Sequence, residues 1–282
     1  MKIKMINKFY TDDLIKKALL EDISYIDVTT DLLIPKESVS KAYFLAKADG
    51  VLAGLDLACR VFELLGDEVK IIKHFKDGDK IKTNDKIAEL TEKTSALLKG
   101  ERTALNLLGH LSGIATVTSN YVEAVHGTQA KIADTRKTLP NLRPLQKYAV
   151  LCGGGFNHRF NLSDCAMLKN NHIDACGGIT EAVKILRAKS GHTVNIEVEV
   201  RNFKELNEAL EAGVKLIMLD NMSIPDMKEA VKINNKRAIL EASGNITLSN
   251  VREVAETGVD IISVGALTHS AAAFDISLRF VI

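Results

Sequence analysis

The feature that most constrains the fold is a regular alternation of short apolar segments and amphipathic segments after about residue 130. The apolar segments predict six strands, at residues 131–133, 166–168, 195–200, 216–219, 238–240 and 261–264. The segments between them include helical repeats at residues 181–189, 203–212, 225–233 and 248–257. Apolar strands that alternate with helices form parallel sheets covered by helices. The even spacing favours a complete or incomplete α/β barrel over an open sheet.

The first part of the chain has a different, mixed α/β pattern. A helix is predicted behind Thr11 as its N-cap, and strand-like alternation follows at residues 42–46 and 69–72. A long helical repeat then runs from about residue 95 to 125, and Gly109 and Gly113 within it indicate either a break or a close packing contact. A chain of 282 residues is long enough for two such domains.

Composition excludes several classes of protein. The net charge of +1 argues against binding nucleic acid through bulk positive charge, and no apolar run reaches the length of a membrane span. The N-terminus has no signal-peptide pattern, and four cysteines without a Cys-x-x-Cys pair favour a reducing compartment, so we expect a cytoplasmic protein. The widely spaced set Cys152, His158, Cys165, His172 and Cys176 is a weak candidate for zinc, because zinc sites usually carry tight ligand pairs.

The charge is unevenly placed along the chain. Residues 131–172 carry seven basic and two acidic side chains, a local charge of +5, so the rest of the chain carries −4. The basic residues are Lys131, Arg136, Lys137, Arg143, Lys147, Arg159 and Lys169. Three consecutive glycines, 153–155, precede His158 and Arg159, and we expect them to let a planar, polyanionic ligand approach closely. A flexible surface loop is the alternative interpretation.

Polar side chains follow the predicted strands, where the loops of α/β barrels carry catalytic residues. They are Asp134, Arg136, Lys137, Lys169, Glu199, Asp220, Asn221, Glu241 and Ser243, and two glycines, Gly244 and Gly265, lie at the same strand ends. Any one of them could be a solvated strand end, but the set predicts an active-site mouth. The small residues at 243–245 and 265–268 favour a phosphate, and Glu199 with Asp220 suits Mg²⁺. Arg102 lies beside an apolar helix face, where an Arg that extends to solvent or forms a salt bridge is the simpler interpretation.

Several segments resemble the quinolinate phosphoribosyltransferase family. The most specific are Asp134-Thr-Arg-Lys-Thr138, Tyr148-Ala-Val-Leu-Cys-Gly-Gly-Gly-Phe-Asn-His-Arg159 and Leu168-Lys-Asn-Asn-His172. Others are Asp27-Val-Thr-Thr30, Gly50-Val-Leu-Ala-Gly54, Glu101-Arg-Thr-Ala-Leu-Asn106, Ser112-Gly-Ile-Ala-Thr116, Glu197-Val-Glu199, Leu219-Asp-Asn221 and Ser263-Val-Gly-Ala-Leu-Thr-His269. The resemblance covers nearly the whole chain.

The resemblance implies a fold and a reaction. The fold would be an N-terminal α/β sandwich domain of residues 1–112, to which residues 270–282 return, and an irregular or incomplete α/β barrel of residues 113–269. The enzyme would convert quinolinate and phosphoribosyl pyrophosphate into nicotinate mononucleotide, pyrophosphate and CO₂, with Mg²⁺, in NAD biosynthesis. Its active sites would be shared across a homodimer, with higher assembly left open, and neither nucleic acid nor a membrane would be a partner.

The resemblance also implies residue roles. Quinolinate would be bound by Arg136, His158, Arg159, Lys169 and, from the neighbouring subunit, Arg102. Phosphoribosyl pyrophosphate would be bound by Lys137, Lys169, Glu199, Asp220, Ser243, Gly244, Gly265 and His269. Glu199 and Asp220 would hold the metal, and the catalytic set would be Lys137, Lys169, Glu199 and Asp220.

Three other functions remain open from the residues. The first is that of a molybdenum-transport-associated paralogue with the same fold, which the intact segments 157–159 and 168–172 disfavour. The second is an aldolase-type lyase in which Lys169 forms a Schiff base. The third is an anion-binding module without catalysis.

Overall fold

The computed structural model describes residues 6–66 and 68–281. The chain forms two compact units. The first contains the chain up to residue 119, residues 144–154 and the chain from residue 271 onward, and the second contains residues 120–143 and 155–270. Relative to the predicted bounds, residues 113–119 and 144–154 fall in the first unit rather than with the barrel.

The first unit is built on an antiparallel sheet. Elements are numbered along the chain, and its helices are α1 (Lys8–Asp22), α2 (Val28–Leu33), α3 (Leu55–Leu65), most of α4 (Thr94–Ala124) and nearly all of α5 (Arg143–Cys152). Its strands are β1 (Val39–Ala46), β2 (Gly50–Val51), β3 (Lys70–Lys73), β4 (Lys80–Ile81), β5 (Lys86–Lys93) and β12 (Ile276–Phe280). The main sheet has the order β12-β1-β5-β3, so the last strand of the chain pairs with the first. Phe44 and Phe62 pack together in the core.

The prediction of Thr11 as the first N-cap is wrong. Helix α1 begins four residues earlier, where the side chain of Asn7 accepts a hydrogen bond from the backbone N–H of Phe9. Thr11 lies inside the first turn, is buried, and donates its hydroxyl to the carbonyl of Lys8. Both side chains can cap a helix, and burial of Thr11 against the core decides between them.

Helix α4 runs unbroken through its two glycines. A Cβ at Gly109 would lie 2.8 Å from the carbonyl oxygen of Phe274, and one at Gly113 would overlap the carbonyl of Ala272. The segment that leads into β12 therefore lies directly on these glycines. Close packing, not a helix break, explains them.

The second unit is an incomplete barrel, which confirms the predicted fold class. Its parallel strands are β6 (Lys131–Ala133), β7 (Cys165–Leu168), β8 (Asn195–Val200), β9 (Leu216–Asp220), β10 (Ile239–Ser243) and β11 (Ile261–Ser263). Its helices are α6 (Asn170–Cys176), α7 (Ile179–Lys189), α8 (Phe203–Glu211), α9 (Ile224–Asn234), α10 (Val251–Ala255) and α11 (Ala266–His269). The order β6-β11-β10-β9-β8-β7 makes the first strand of this sheet a neighbour of the last, which is the order of a barrel that is open between β6 and β7.

A seam separates β6 from β7, which are not paired within the described residues. Phe156 partly covers it by forming a single parallel bridge with Ala133: its N–H donates to Ile132, and its carbonyl accepts from the N–H of Asp134. The chain that follows, including His158 and Arg159, is thereby held at the open side of the barrel.

Helix caps explain why the helices of the second unit start where they do. Asn202 accepts from the N–H of Glu205 ahead of α8, and Ser223 accepts from the N–H of Asp226 ahead of α9, where Pro225 occupies the first turn. No helix in the described part of the chain is both long enough and apolar enough to cross a bilayer.

The packing of α4 gives a stability prediction. Replacing Gly113 by Ala should lower the free energy of unfolding by about 2 kcal/mol, because the added methyl group overlaps backbone that cannot rotate away. Urea unfolding followed by circular dichroism would measure it. Gly191→Ala is the matched control, since a Cβ there meets nothing within 4 Å. Equal stability of the two variants would contradict the packing described here.

Candidate active site

A cavity of about 690 Å³ opens at the carboxyl ends of the barrel strands. Eleven of the twelve predicted site residues line it: Arg136, Lys137, His158, Arg159, Lys169, Glu199, Asp220, Ser243, Gly244, Gly265 and His269. The twelfth, Arg102, is exposed on α4 in the first unit. The second unit alone therefore brings the predicted barrel residues together, while their individual roles remain predictions.

Strand register explains this convergence. Lys169 directly follows β7, Glu199 lies near the end of β8, and Asp220 and Ser243 are the last residues of β9 and β10. Asp220 and Ser243 are opposite each other in the parallel ladder, and Glu199 is opposite Met218, two residues before Asp220. Because alternate residues of a strand face the same side, Met218 and Asp220 both point into the cavity that Glu199 lines.

The cavity carries excess positive charge. Arg136, Lys137, Arg159 and Lys169 line it together with the carboxylates of Glu199 and Asp220, which leaves a formal charge of +2 before any histidine is counted. The Lys169 ammonium forms an ion pair with Glu199.

Two donors in the cavity wall have no protein acceptor. The Nε atom of Arg136 and the hydroxyl of Ser263 are buried and have no hydrogen-bond partner. A buried donor without an acceptor is costly. These donors are consistent with a site whose acceptors arrive with an anionic ligand.

A buried carboxylate anchors the segment that crosses the seam. Asp134 is fully buried, accepts from the side-chain amide of Asn157 at 2.6 Å and from the N–H of His158 at 2.9 Å, and does not line the cavity. The prediction that Asp134 belongs to the mouth is therefore wrong. Asp134 instead holds in place the segment that carries His158. Arg159 is fixed in turn, because its guanidinium donates to the carbonyl of Cys165 at 2.9 Å.

His158 lies between two further buried carboxylates. Its Nε2 is 3.2 Å from Oε2 of Glu197 and 3.4 Å from Oε1 of Glu241. Burial opposes protonation of the ring, but the adjacent carboxylates of Glu197 and Glu241 outweigh it and raise the pKa of His158 to about 10. The three ligand atoms lie within 4.8 Å of one another, so this cluster also has the donors to hold a cation.

The cluster sits between two cavities. A second cavity, of about 340 Å³, is lined by the first residue of every barrel strand and by Glu197 and Glu241. His158 and Arg159 line both cavities. They therefore separate the carboxyl-end cavity from the amino end of the barrel.

Glycine is required at one of the predicted phosphate loops. A Cβ at Gly265 would lie 2.9 Å from Cδ of Lys137 and 3.2 Å from Nε2 of His269. The loop is thus packed between two predicted ligands of phosphoribosyl pyrophosphate. The hydroxyl of Thr268 stabilises this loop by donating a hydrogen bond to the carbonyl of Lys137 at 2.7 Å.

The interpretation of the three glycines in the basic segment is wrong, and only part of the segment's charge faces the cavity. The glycines 153–155 do not line the cavity, and Gly153 instead packs against α4, where a Cβ would lie 2.6 Å from Cβ of Thr118. Of the seven basic residues, Lys131, Arg143 and Lys147 also lie outside the cavity. The metal-type cluster found among the described residues, His158 with Glu197 and Glu241, contains no cysteine.

The sequence does not predict Glu197 as part of the site, and the prediction that Glu241 belongs to the mouth is wrong, because Glu241 lines the second cavity and not the carboxyl-end cavity. A signal for Glu197 was present: in β8, Glu197 and Glu199 alternate with Val198 and Val200, and all four are buried. Charged residues that alternate with apolar ones in the buried part of a strand face an interior polar site. Ser263, the last residue of β11, was likewise passed over in favour of Gly265.

Fold and site together define a class of protein. An incomplete α/β barrel with a net-positive cavity at its carboxyl end and glycine-containing loops after its last two strands is typical of enzymes that bind phosphorylated, anionic substrates.

Comparison with known proteins gives the family. Residues 27–112 match the family model for the quinolinate phosphoribosyl transferase N-terminal domain, and residues 114–279 match that for the C-terminal domain. The chain therefore belongs to the quinolinate phosphoribosyltransferase family. A probable nicotinate-nucleotide pyrophosphorylase (carboxylating) of Bacillus subtilis is 45% identical over 96% of this chain and 94% of its own length. The probable enzyme of the same name from Methanocaldococcus jannaschii is 44% identical, over 97% and 98%.

Solved structures agree. NadC from Streptococcus pyogenes superimposes with a TM-score of 0.95 at 43% identity and covers 99% of this chain and 100% of its own. The nicotinate-nucleotide pyrophosphorylase from Francisella tularensis gives a TM-score of 0.94 at 39% identity, covering 100% and 99%.

The raised pKa of His158 predicts a pH-dependent contribution to stability. Its value of about 10 exceeds the ordinary 6.5, so the stabilisation is fully present below pH 6.5 and is lost as the pH rises through 10. Glu241→Gln should lower the free energy of unfolding by about 2 kcal/mol near pH 6.5 and by progressively less towards pH 10. Urea unfolding at several pH values measures this.

The matched control is Glu92→Gln, which alters a buried carboxylate in the first unit. Its effect on stability should not change over that pH range. A Glu241→Gln effect that is equally independent of pH would show that Glu241 does not stabilise a protonated His158.

Proposed function

We propose that this chain transfers the phosphoribosyl group of phosphoribosyl pyrophosphate to quinolinate and releases pyrophosphate and CO₂. The product would be nicotinate mononucleotide, a precursor in NAD biosynthesis. The observation that carries the proposal is the meeting of four cationic side chains and two carboxylates in one cavity of a chain that belongs to this family.

Quinolinate is a planar ring with two adjacent carboxylates, and guanidinium groups bind carboxylates through paired hydrogen bonds. We assign this recognition to Arg136, His158, Arg159 and Lys169. The unpartnered Nε of Arg136 supports the assignment, because it is a donor that a substrate carboxylate would satisfy. The hydrogen bond of Arg159 to Cys165 fixes its guanidinium before any substrate arrives.

Phosphoribosyl pyrophosphate has phosphate at both ends of the sugar. We assign the 5′-phosphate to the two loops that contain Ser243, Gly244, Gly265 and His269, where small residues leave backbone groups accessible. Lys137 and Lys169 would face the pyrophosphate.

The donor set fits Mg²⁺. Glu199 and Asp220 place carboxylate oxygens from adjacent strands in the cavity, and Mg²⁺ prefers one or two carboxylates together with phosphate oxygens. When bound, the metal would neutralise charge on the pyrophosphate as it leaves.

The reaction then needs little from the protein beyond charge and position. The ring nitrogen of quinolinate bonds to C1 of the ribose as the bond from C1 to pyrophosphate breaks, and Glu199 and Asp220 stabilise positive charge that develops on the sugar. The bond to the 2-carboxylate breaks next, CO₂ leaves, and the electron pair stays on a carbon beside the positively charged nitrogen. A proton replaces the CO₂. Lys169 and His158 are the candidate donors in the cavity wall.

A homodimer would complete the site. Arg102 is exposed, and the first unit also exposes large apolar side chains, including Tyr25, Leu32 and Leu33. Large apolar side chains that are this exposed are candidates for burial in an interface. We propose that a second copy covers them and that Arg102 of each copy binds the quinolinate of the other.

The ion pair of Lys169 disfavours the aldolase-type alternative. A Schiff base requires a neutral amine, and an ammonium paired with Glu199 is not nucleophilic. A measurement of product formation would distinguish an enzyme from a module that only binds anions.

Purified protein with quinolinate, phosphoribosyl pyrophosphate and Mg²⁺ should release CO₂ and form nicotinate mononucleotide in equal amounts. Nicotinate in place of quinolinate should be a poor substrate, because it lacks one of the two carboxylates that the cationic cavity binds. Chromatography would measure nicotinate mononucleotide, and trapping would measure the released CO₂. Folded protein that yields no nicotinate mononucleotide would contradict the proposal.

Mixing variants tests the shared site. Arg102→Ala and Lys137→Ala should each be nearly inactive alone, because each removes a cation from every site. After subunit exchange, a heterodimer has one site with both residues intact, so activity should return. No recovery in mixtures whose exchange is verified by mass spectrometry would contradict a contribution of Arg102 across the dimer.

A further inference from the structure

Asn221 directly follows the predicted metal ligand Asp220 but does not itself line the cavity. It has a left-handed backbone, with φ of 54°, at the point where the chain leaves β9. Its N–H donates to the carbonyl of Ser243 at 2.9 Å, which extends the hydrogen bonding between β9 and β10 by one residue beyond the strands. The conformation therefore holds Asn221, which remains exposed to solvent, beside the neighbouring loop.

The side-chain amide of Asn221 connects two parts of the cavity wall. Its Nδ2 donates to Oδ1 of Asp220 at 2.9 Å, and its Oδ1 accepts from Nδ2 of Asn245 at 3.2 Å. The carbonyl of Asn245 accepts in turn from Nδ2 of Asn250 at 3.0 Å, which fixes the far end of the loop. A continuous series of amide hydrogen bonds thus joins Asp220 to residues 243–247, all of which line the cavity.

Gly244 shows how closely this amide is packed. Gly244 has φ of 101°, and a Cβ on it would lie 2.5 Å from Cγ of Asn221. The amide of Asn221 lies directly against the glycine backbone. Movement of either group would displace the other.

Few residue types could serve at position 221. Glycine, asparagine and aspartate tolerate a left-handed backbone best. Glycine has no side chain to bond Asp220, and aspartate would place a second carboxylate against it instead of a donor. Asparagine alone of the three donates to Asp220 and accepts from Asn245.

We propose that Asn221 is a positioning residue, which orients the carboxylate of Asp220 and couples it to the loop 243–247. This inference rests on the proposed function, in which Asp220 holds the metal and that loop binds the 5′-phosphate. Asn221 then links the two ends of one substrate, phosphoribosyl pyrophosphate. Binding of quinolinate, which is assigned to residues that follow β6 and β7, should not depend on Asn221.

The test uses Asn221→Gly, which keeps the backbone conformation and removes the amide. Binding of Mn²⁺ in the presence of phosphoribosyl pyrophosphate and absence of quinolinate would be measured by electron paramagnetic resonance. We expect the dissociation constant of Mn²⁺ to rise about tenfold, the effect of losing one hydrogen bond to a charged group. The KM for phosphoribosyl pyrophosphate should rise similarly, and the KM for quinolinate should stay within about twofold.

Two further variants separate this role from general stability. Asn235→Gly removes another left-handed asparagine, at the end of α9 and outside the cavity, and should leave both KM values and Mn²⁺ binding unchanged. Asn245→Gly removes only the donor to Asn221 and should shift Mn²⁺ binding in the same direction by a smaller factor. Thermal unfolding of each variant checks that the protein is folded.

The outcomes are distinguishable. If wild-type protein binds Mn²⁺ with phosphoribosyl pyrophosphate and Asn221→Gly binds it equally well, Asn221 does not position Asp220, and the inference is overturned while the proposed function stands. An equal rise in the KM for quinolinate would also overturn it, because it would indicate a general disturbance of the cavity. Wild-type protein that shows no such binding would contradict the proposed function itself.

Discussion

Buried carboxylates hold the cationic side chains of this barrel in place. Asp134 fixes the backbone at His158, while Glu197 and Glu241 flank its ring. A cluster of positive charge at one end of a protein is self-repelling, and burial would make it more so. Carboxylates placed one layer below allow the positive groups to remain close together and still face the cavity. The arrangement of charge, more than the barrel itself, suits this end of the protein to polyanions.

The residues held by these carboxylates also separate the two ends of the barrel. His158 and Arg159 line the carboxyl-end cavity and the cavity at the strand starts, so they form a partition inside the sheet. They reach that place because Phe156 bridges to β6 across the seam. An incomplete barrel is therefore suited to this chemistry, since the segment that covers the missing strand pairing is also the one that carries the predicted quinolinate ligands.

Much of the second unit follows from sequence periodicity, because short apolar strands and capped helices are local signals. All six barrel strands were predicted within about three residues of their bounds. Contacts that depend on tertiary packing were not predictable: Thr11 and Asn7 are both good caps, and Gly153 proved to serve helix packing rather than ligand approach. Likewise, the pairing of His158 with Glu197 and Glu241 joins residues far apart in the chain. The proposed role of Asn221 depends on its contacts with a loop that follows a different strand.

Calorimetric titration with quinolinate tests most directly whether the charged residues at the strand ends bind a dicarboxylate. Arg136→Gln should weaken quinolinate binding by about tenfold or more, because it removes a charged donor that has no other partner. Lys131→Gln removes the same charge from the same basic segment, but outside the carboxyl-end cavity, and should leave the affinity unchanged. Equal weakening by both variants would show that only the overall charge of the segment matters, and wild-type affinity in Arg136→Gln would contradict the assignment of the site.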